Sequence, residues 1–158
     1  MVYSDKWHEP RFAPGSFNFF FVSIFKKMYG YEPVITKLGK PFSPAYDFGK
    51  RIVDRQAKEF GVSEITQYFM IGDNTRSDIE GANRMQRQHL IEQGKDPDQT
   101  KISNPLDKKW VTILVRTGVF KEGESTNNAD YVVDDLKAAY EIILKSFKVK
   151  EEEEKKIL

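Results

Sequence analysis

The sequence predicts an α/β fold built on a parallel sheet, and three observations carry that prediction. Apolar runs of strand length alternate with segments of helical apolar spacing through most of the chain, the signature of βαβ units with right-handed crossovers. Trp110–Val115, WVTILV, is apolar on both alternating faces, as a strand covered on both sides should be. The chain has 158 residues and is 39% apolar, enough for one core and the length of one domain.

The elements follow in order. Residues 1–14 hold two prolines and no clear period and read as loop. Gly15–Tyr29 places Phe17, Phe20, Phe21, Ile24, Phe25 and Met28 at spacings of three and four. That predicts a helix with a broad apolar face for packing, capped by Ser16 and stopped by Gly30. Pro33–Leu38 reads as a short strand, interrupted by Gly39-Lys40-Pro41. Pro44 opens a second helix as an N1 proline does, running through Phe48, Ile52 and Ala57 to Gly61. Gln67–Ile71 is a strand, Ser77–Glu92 a helix, Gly94–Lys109 a polar surface loop, and Lys121–Asn128 another. Tyr131–Val133 is a strand and Leu136–Phe147 a helix. The terminal charge run KEEEEKKIL reads as a solvated, frayed helix end.

Composition narrows the function. There is no cysteine, hence no disulfide framework or thiol chemistry. A net charge of +1 with interspersed signs argues against a nucleic-acid surface. No apolar run reaches the ~18 residues of a membrane span, and MVYSDKWHEPRF lacks the apolar core of a signal peptide. The compartment stays open between mitochondrion and cytoplasm.

The chemistry concentrates in YFMIGDNTRSDIEGANR, Tyr68–Arg84. In open α/β sheets ligands bind outside the carboxyl ends of the strands, where Asp73 falls. Ser77 and Glu80 have capping-box spacing, which places Asp78 in the first turn of the following helix. Two hard oxygen donors there suit Mg²⁺, which takes one or two carboxylates plus waters and substrate oxygens. The same aspartates also serve capping and the helix dipole, so both readings stand. Lys40, in a turn before a helix leading to this strand, has two readings: a lysine that reaches the same cleft and balances charge or, favoured on position alone, a solvated turn lysine. Thr117, in Arg116-Thr117-Gly118 at another strand end, is a candidate lining residue, and Asn74 a candidate for holding the loop or the substrate. His8 and His89 are too few for a zinc site, and Trp7 and Trp110 read as packing residues.

LGKPFSPAYDFG, YFMIGDNTRSDIEGAN and WVTILVRTGVF, in that order, resemble the C-terminal half of a haloacid dehalogenase (HAD) superfamily hydrolase. The subfamily resembled has a large α/β cap, and within it stand the cat eye syndrome critical region five-like proteins, some of them labelled class-I CDP-alcohol phosphatidyltransferases. RFAPGSFNFFFVSIFKKMYG resembles the segment leading out of the cap. The resemblance covers about Arg11–Leu144, with an insertion near Gln86–Lys109. It implies residues 1–36 as the end of the cap and its return helix, 37–148 as the C-terminal half of a Rossmann-like three-layer α/β/α core, and 149–158 as a charged tail. It implies Lys40, Asp73 and Asp78 as catalytic residues, Asp73 and Asp78 as ligands of a Mg²⁺ cofactor, and hydrolysis of a small phosphorylated substrate through an aspartyl-phosphate.

The chain departs from that pattern. The nucleophilic D-x-D-x-[TV] element would precede everything here. Asp96-Pro97-Asp98-Gln99-Thr100 matches it literally but follows polar residues that cannot form a buried strand, so it reads as loop. The chain is therefore expected to be about the second half of a longer protein and inactive alone. The strand at Gln67–Ile71 would have an exposed edge, open to a second chain. A binding or assembly module without catalysis is the alternative reading. Phosphatidyltransferase activity is disfavoured, because that chemistry belongs to membrane enzymes.

Overall fold

A computed structural model describes residues 2–3, 9, 11–97 and 104–157. The chain divides into two compact units, Met1–Lys37 and Leu38–Leu158.

In the first unit β1 (Val2–Tyr3) pairs antiparallel with β2 (Arg11–Phe12), where the sequence reads as loop. Helix α1 spans Pro14–Tyr29. Its cap is Ala13, not Ser16: Pro14 takes N1, where no N–H is required, and the Ser16 N–H donates to the Ala13 carbonyl at 2.8 Å. Gly30, at φ +78°, closes the helix by donating to the Lys26 carbonyl. The apolar face expected to pack is open among the described residues, with Phe17 77% and Met28 68% exposed. No strand forms over 33–38, because the run meets no partner and Pro33 has no N–H to give one.

The second unit is a mixed α/β structure: a three-stranded parallel sheet flanked by helices, compatible with a partial Rossmann-like core. Helix α2 (Ser43–Glu59) leads to β3 (Tyr68–Gly72). A π-helical turn over Thr75–Ile79 runs into α3 (Glu80–Glu92). Then come β4 (Trp110–Val115), β5 (Tyr131–Val133) and α4 (Leu136–Ile157). The order is β3-β4-β5, all parallel, with Tyr68 opposite Trp110 and Ile113 opposite Tyr131.

Period-two alternation distributes the side chains. Tyr68 and Met70 of β3 join Trp110, Tyr46 of α2, and Ala82 and Met85 of α3. Phe69 and Ile71 join Ile113, Val115, and Ala139, Ile142 and Ile143 of α4. Helices thus cover both faces. Val111, Ile113 and Leu114 are fully buried, each contributing about 1.5–3 kcal/mol. A buried ion pair, Lys108 Nζ to Asp130 Oδ1 at 2.5 Å, ties the entrance of β4 to the approach of β5. The other Asp130 oxygen accepts from the Thr112 N–H and hydroxyl.

Two boundaries shift from the sequence reading. The helix expected from Ser77 begins with the π-helical turn, and α4 continues through the glutamate and lysine run to Ile157, residues of high helix propensity. Trp7, His8 and Asp98–Thr100 lie outside the described residues. His89 lies half-buried on α3, and Trp110 packs in the core.

Candidate functional site

The strands being parallel, their carboxyl ends lie on one edge, followed by Asp73, Arg116 and Asp134. Arg116 joins two of those ends: its N–H donates to the Val133 carbonyl and its guanidinium to Asp134 at 3.1 Å.

Asp78 is buried at this edge. Its side chain is 5% exposed, and Oδ1 accepts from the Lys40 ammonium at 2.6 Å. Oδ2 accepts from the Asn74 N–H at 3.1 Å. The carboxylate lies so close to Gly72 that a Cβ there would stand 2.5 Å from Oδ2. Asp73, the next residue along, has its Oδ2 anchored by the Val119 N–H at 2.7 Å. Gly118, at φ +68°, gives that loop its close approach: a Cβ there would fall 1.9 Å from the same oxygen. Lys40, Asp73 and Asp78 are therefore neighbours at the carboxyl end of β3, Lys40 in direct contact with Asp78.

The expected capping box does not form. Asn74 caps the π-helical turn, its Oδ1 accepting from the N–H groups of Arg76 and Ser77 at 3.0 and 3.1 Å. Glu80 instead accepts from Arg84 at 2.6 Å, Arg87 and Asn127. Burial alone would raise the Glu80 pKa, but Arg84, Asn127 and Arg87 together hold it below the usual carboxylate range. Asn74's side-chain oxygen is committed to this cap. Thr117 is exposed beside Gly118.

Two residues of the site carried no signal in the apolar pattern. The Tyr46 hydroxyl donates to the carbonyls of Ser77 at 2.6 Å and Asp78 at 3.1 Å, holding the π-helical turn from α2. Burial, and then the Asp78 charge, push its pKa well up, so it stays a phenol donor. Asn127, at φ +51°, donates to the Thr75 carbonyl at 3.0 Å and clamps the polar loop onto the same turn. The Asn-Asn pair at 127–128 was the available clue, since asparagine tolerates left-handed backbone.

Among the described residues no three His, Cys, Asp or Glu side chains cluster as a metal site. The remaining Asp73 oxygen has no protein partner among the described residues, whereas both Asp78 oxygens are engaged. An all-oxygen pair of this kind fits a hard divalent cation that keeps most of its waters, without specifying which.

No family model matches the chain. A curated protein of Schizosaccharomyces pombe, named cardiolipin synthase (CMP-forming) / mitochondrial hydrolase fusion protein, is 30% identical over 138 residues, 86% of this chain. The chain spans 19% of that relative's length.

This relative overturns the HAD assignment. Its name couples cardiolipin synthesis to a hydrolase and does not describe a HAD phosphatase. The aspartyl-phosphate route and the small phosphorylated substrate rested on the resemblance alone and fall with it, and the non-catalytic module gains no support. Motif order misled here because a lysine and two aspartates at strand ends are compatible with more than one chemistry. Among the described residues no helix is long and apolar enough to cross a membrane.

Proposed function

We propose that this chain is part of a hydrolase segment that works alongside phospholipid synthesis, as the two activities are joined by name in the Schizosaccharomyces pombe relative. The observation that carries the proposal is the contact of Lys40 with the buried Asp78 carboxylate, beside Asp73, at the carboxyl edge of a parallel sheet. On this reading residues 37–148 bear the site and the setting is intracellular, in the mitochondrion.

Each residue has a role. Asp73 presents one carboxylate oxygen to the cleft while the Val119 N–H fixes the other. Asp78 holds the Lys40 ammonium in place, and Lys40 offsets negative charge on a bound substrate. Mg²⁺, held by Asp73 and Asp78, would supply Lewis-acid polarisation. A cavity of ≈ 320 Å³ is lined by Lys40, Tyr46, Val53, Met70 and Trp110 and extends to Lys50 and Tyr68. Its apolar wall suits the hydrocarbon part of an amphiphile.

The test is to incubate the chain, and the full-length product of its gene, with a panel of anionic and cytidine-nucleotide phospholipids in Mg²⁺, reading products by mass spectrometry. Water-added products are expected, with Asp73→Asn lowering the rate by about 100-fold or more and EDTA abolishing it. Release of CMP without hydrolysis, or an Asp73→Asn variant as active as the parent, overturns the reading.

A further inference from the structure

The opposite end of the sheet carries a group of charges to which the proposed reaction assigns no chemical role, although Lys50 and Tyr68 also border the apolar cavity. A pocket of ≈ 200 Å³ opens beside Tyr68, the first residue of β3, and its wall includes Lys50, Lys58, Lys109, Asp54, Ser63 and Glu64. Tyr68 organises it. One face of its ring stacks on Trp110, with centroids 4.8 Å apart and planes at 24°. The ammonium groups of Lys50 and Lys109 stand 5.5 and 5.4 Å from the same ring centroid. Two like charges are thus held at one aromatic ring.

The protein neutralises them only in part. Lys50 bonds Asp54 at 2.6 Å, and Asp54 also accepts from the Tyr68 hydroxyl, so that carboxylate is spoken for. Lys109 donates one of its three N–H groups to the Ile65 carbonyl at 2.5 Å. Lys58 has no ion-pair partner among the described residues. The lining holds three cations against two carboxylates, Asp54 and the exposed Glu64. Outside the pocket, burial and then the charge of Lys109 lower the pKa of His89.

We infer that Lys50, Lys58 and Lys109 form a binding pocket for a small oxyanion at the amino end of the parallel sheet, remote from Asp73. Ammonium groups with spare donors around a partly enclosed space recognise phosphate as point charges. The ligand class is a free phosphate or the phosphate group of a small metabolite. A membrane headgroup carries the same chemistry, so the test separates the two.

The thermal midpoint of the whole chain is measured in sodium phosphate and in sodium chloride at matched ionic strength. A saturable rise specific to phosphate is expected, with binding at least tenfold weaker in Lys58→Gln and Lys109→Met. Lys58 is exposed and its replacement leaves the fold intact, so that variant decides if Lys109→Met fails to fold. Lys40→Gln should retain the phosphate response. Equal midpoints in the two salts, unchanged binding in Lys58→Gln, or loss of the response in Lys40→Gln overturns the assignment. So does co-sedimentation with phosphatidylglycerol vesicles in the absence of any response to free phosphate.

Discussion

Gly118 and Gly72 do at the residue scale what no side chain could: they leave room for carboxylates. Gly118 combines a left-handed φ of +68° with a virtual Cβ 1.9 Å from Asp73 Oδ2. Gly123 shares the backbone conformation at φ +84° but has nothing within 4 Å. The pair separates strain from steric displacement. Gly123→Ala should cost about 1 kcal/mol, and Gly118→Ala about 2–4 kcal/mol by urea denaturation, with a further loss of divalent-ion affinity by calorimetry. Equal costs would mean that Asp73 moves aside freely. Asp73 and Asp78 stood out in the sequence because glycine and aspartate after an apolar run mark a strand end. The role of Gly118 did not, because its contact is with a residue 45 positions earlier.

At the scale of elements, the π-helical turn over Thr75–Ile79 replaces the helix start expected at Ser77. A wide turn of this kind inside a helix commonly accompanies a functional site. It is held from outside: Tyr46 from α2, Asn127 from the polar loop, Asn74 at its own start. Gly81 makes the first of these possible, since a Cβ there would meet the Tyr46 hydroxyl at 2.1 Å. Tyr46→Phe removes a hydroxyl donor from the Ser77 and Asp78 carbonyls and should cost about 1–2 kcal/mol, read from chemical denaturation. Glu80 gives the turn a pH dependence. Its folded pKa lies below the usual glutamate value of 4.5, so its contribution is present above that value and lost as pH falls through the lower, folded one. Glu80→Gln is expected to flatten the acid limb of the stability profile, and an unchanged limb would assign acid sensitivity elsewhere. The S-x-x-E spacing misled because Arg84 and Arg87, one and two turns on, are charged and compete better for Glu80 than a backbone N–H.

At the scale of the whole molecule, the parallel sheet and every residue of the candidate site lie within Leu38–Leu158. A fragment beginning at Leu38 should therefore keep the far-UV dichroism of the second unit and a cooperative thermal transition. A fragment without either would show that residues 1–37 complete the core. Within the second unit the sequence by itself determined the order of helices and strands, the parallel class and the strand-end position of Asp73. These follow from apolar period and glycine placement, which are local properties of the chain. It left open which surfaces are covered: the apolar face of α1, read as packing, stands exposed. Only the tertiary structure decided that Lys40 meets Asp78 across 38 positions, that Tyr46 and Asn127 hold the turn between them, and that lysines from α2 and the approach to β4 converge at Tyr68. Such contacts depend on how strands register and helices pack, a long-range balance of burial and charge that no local pattern encodes.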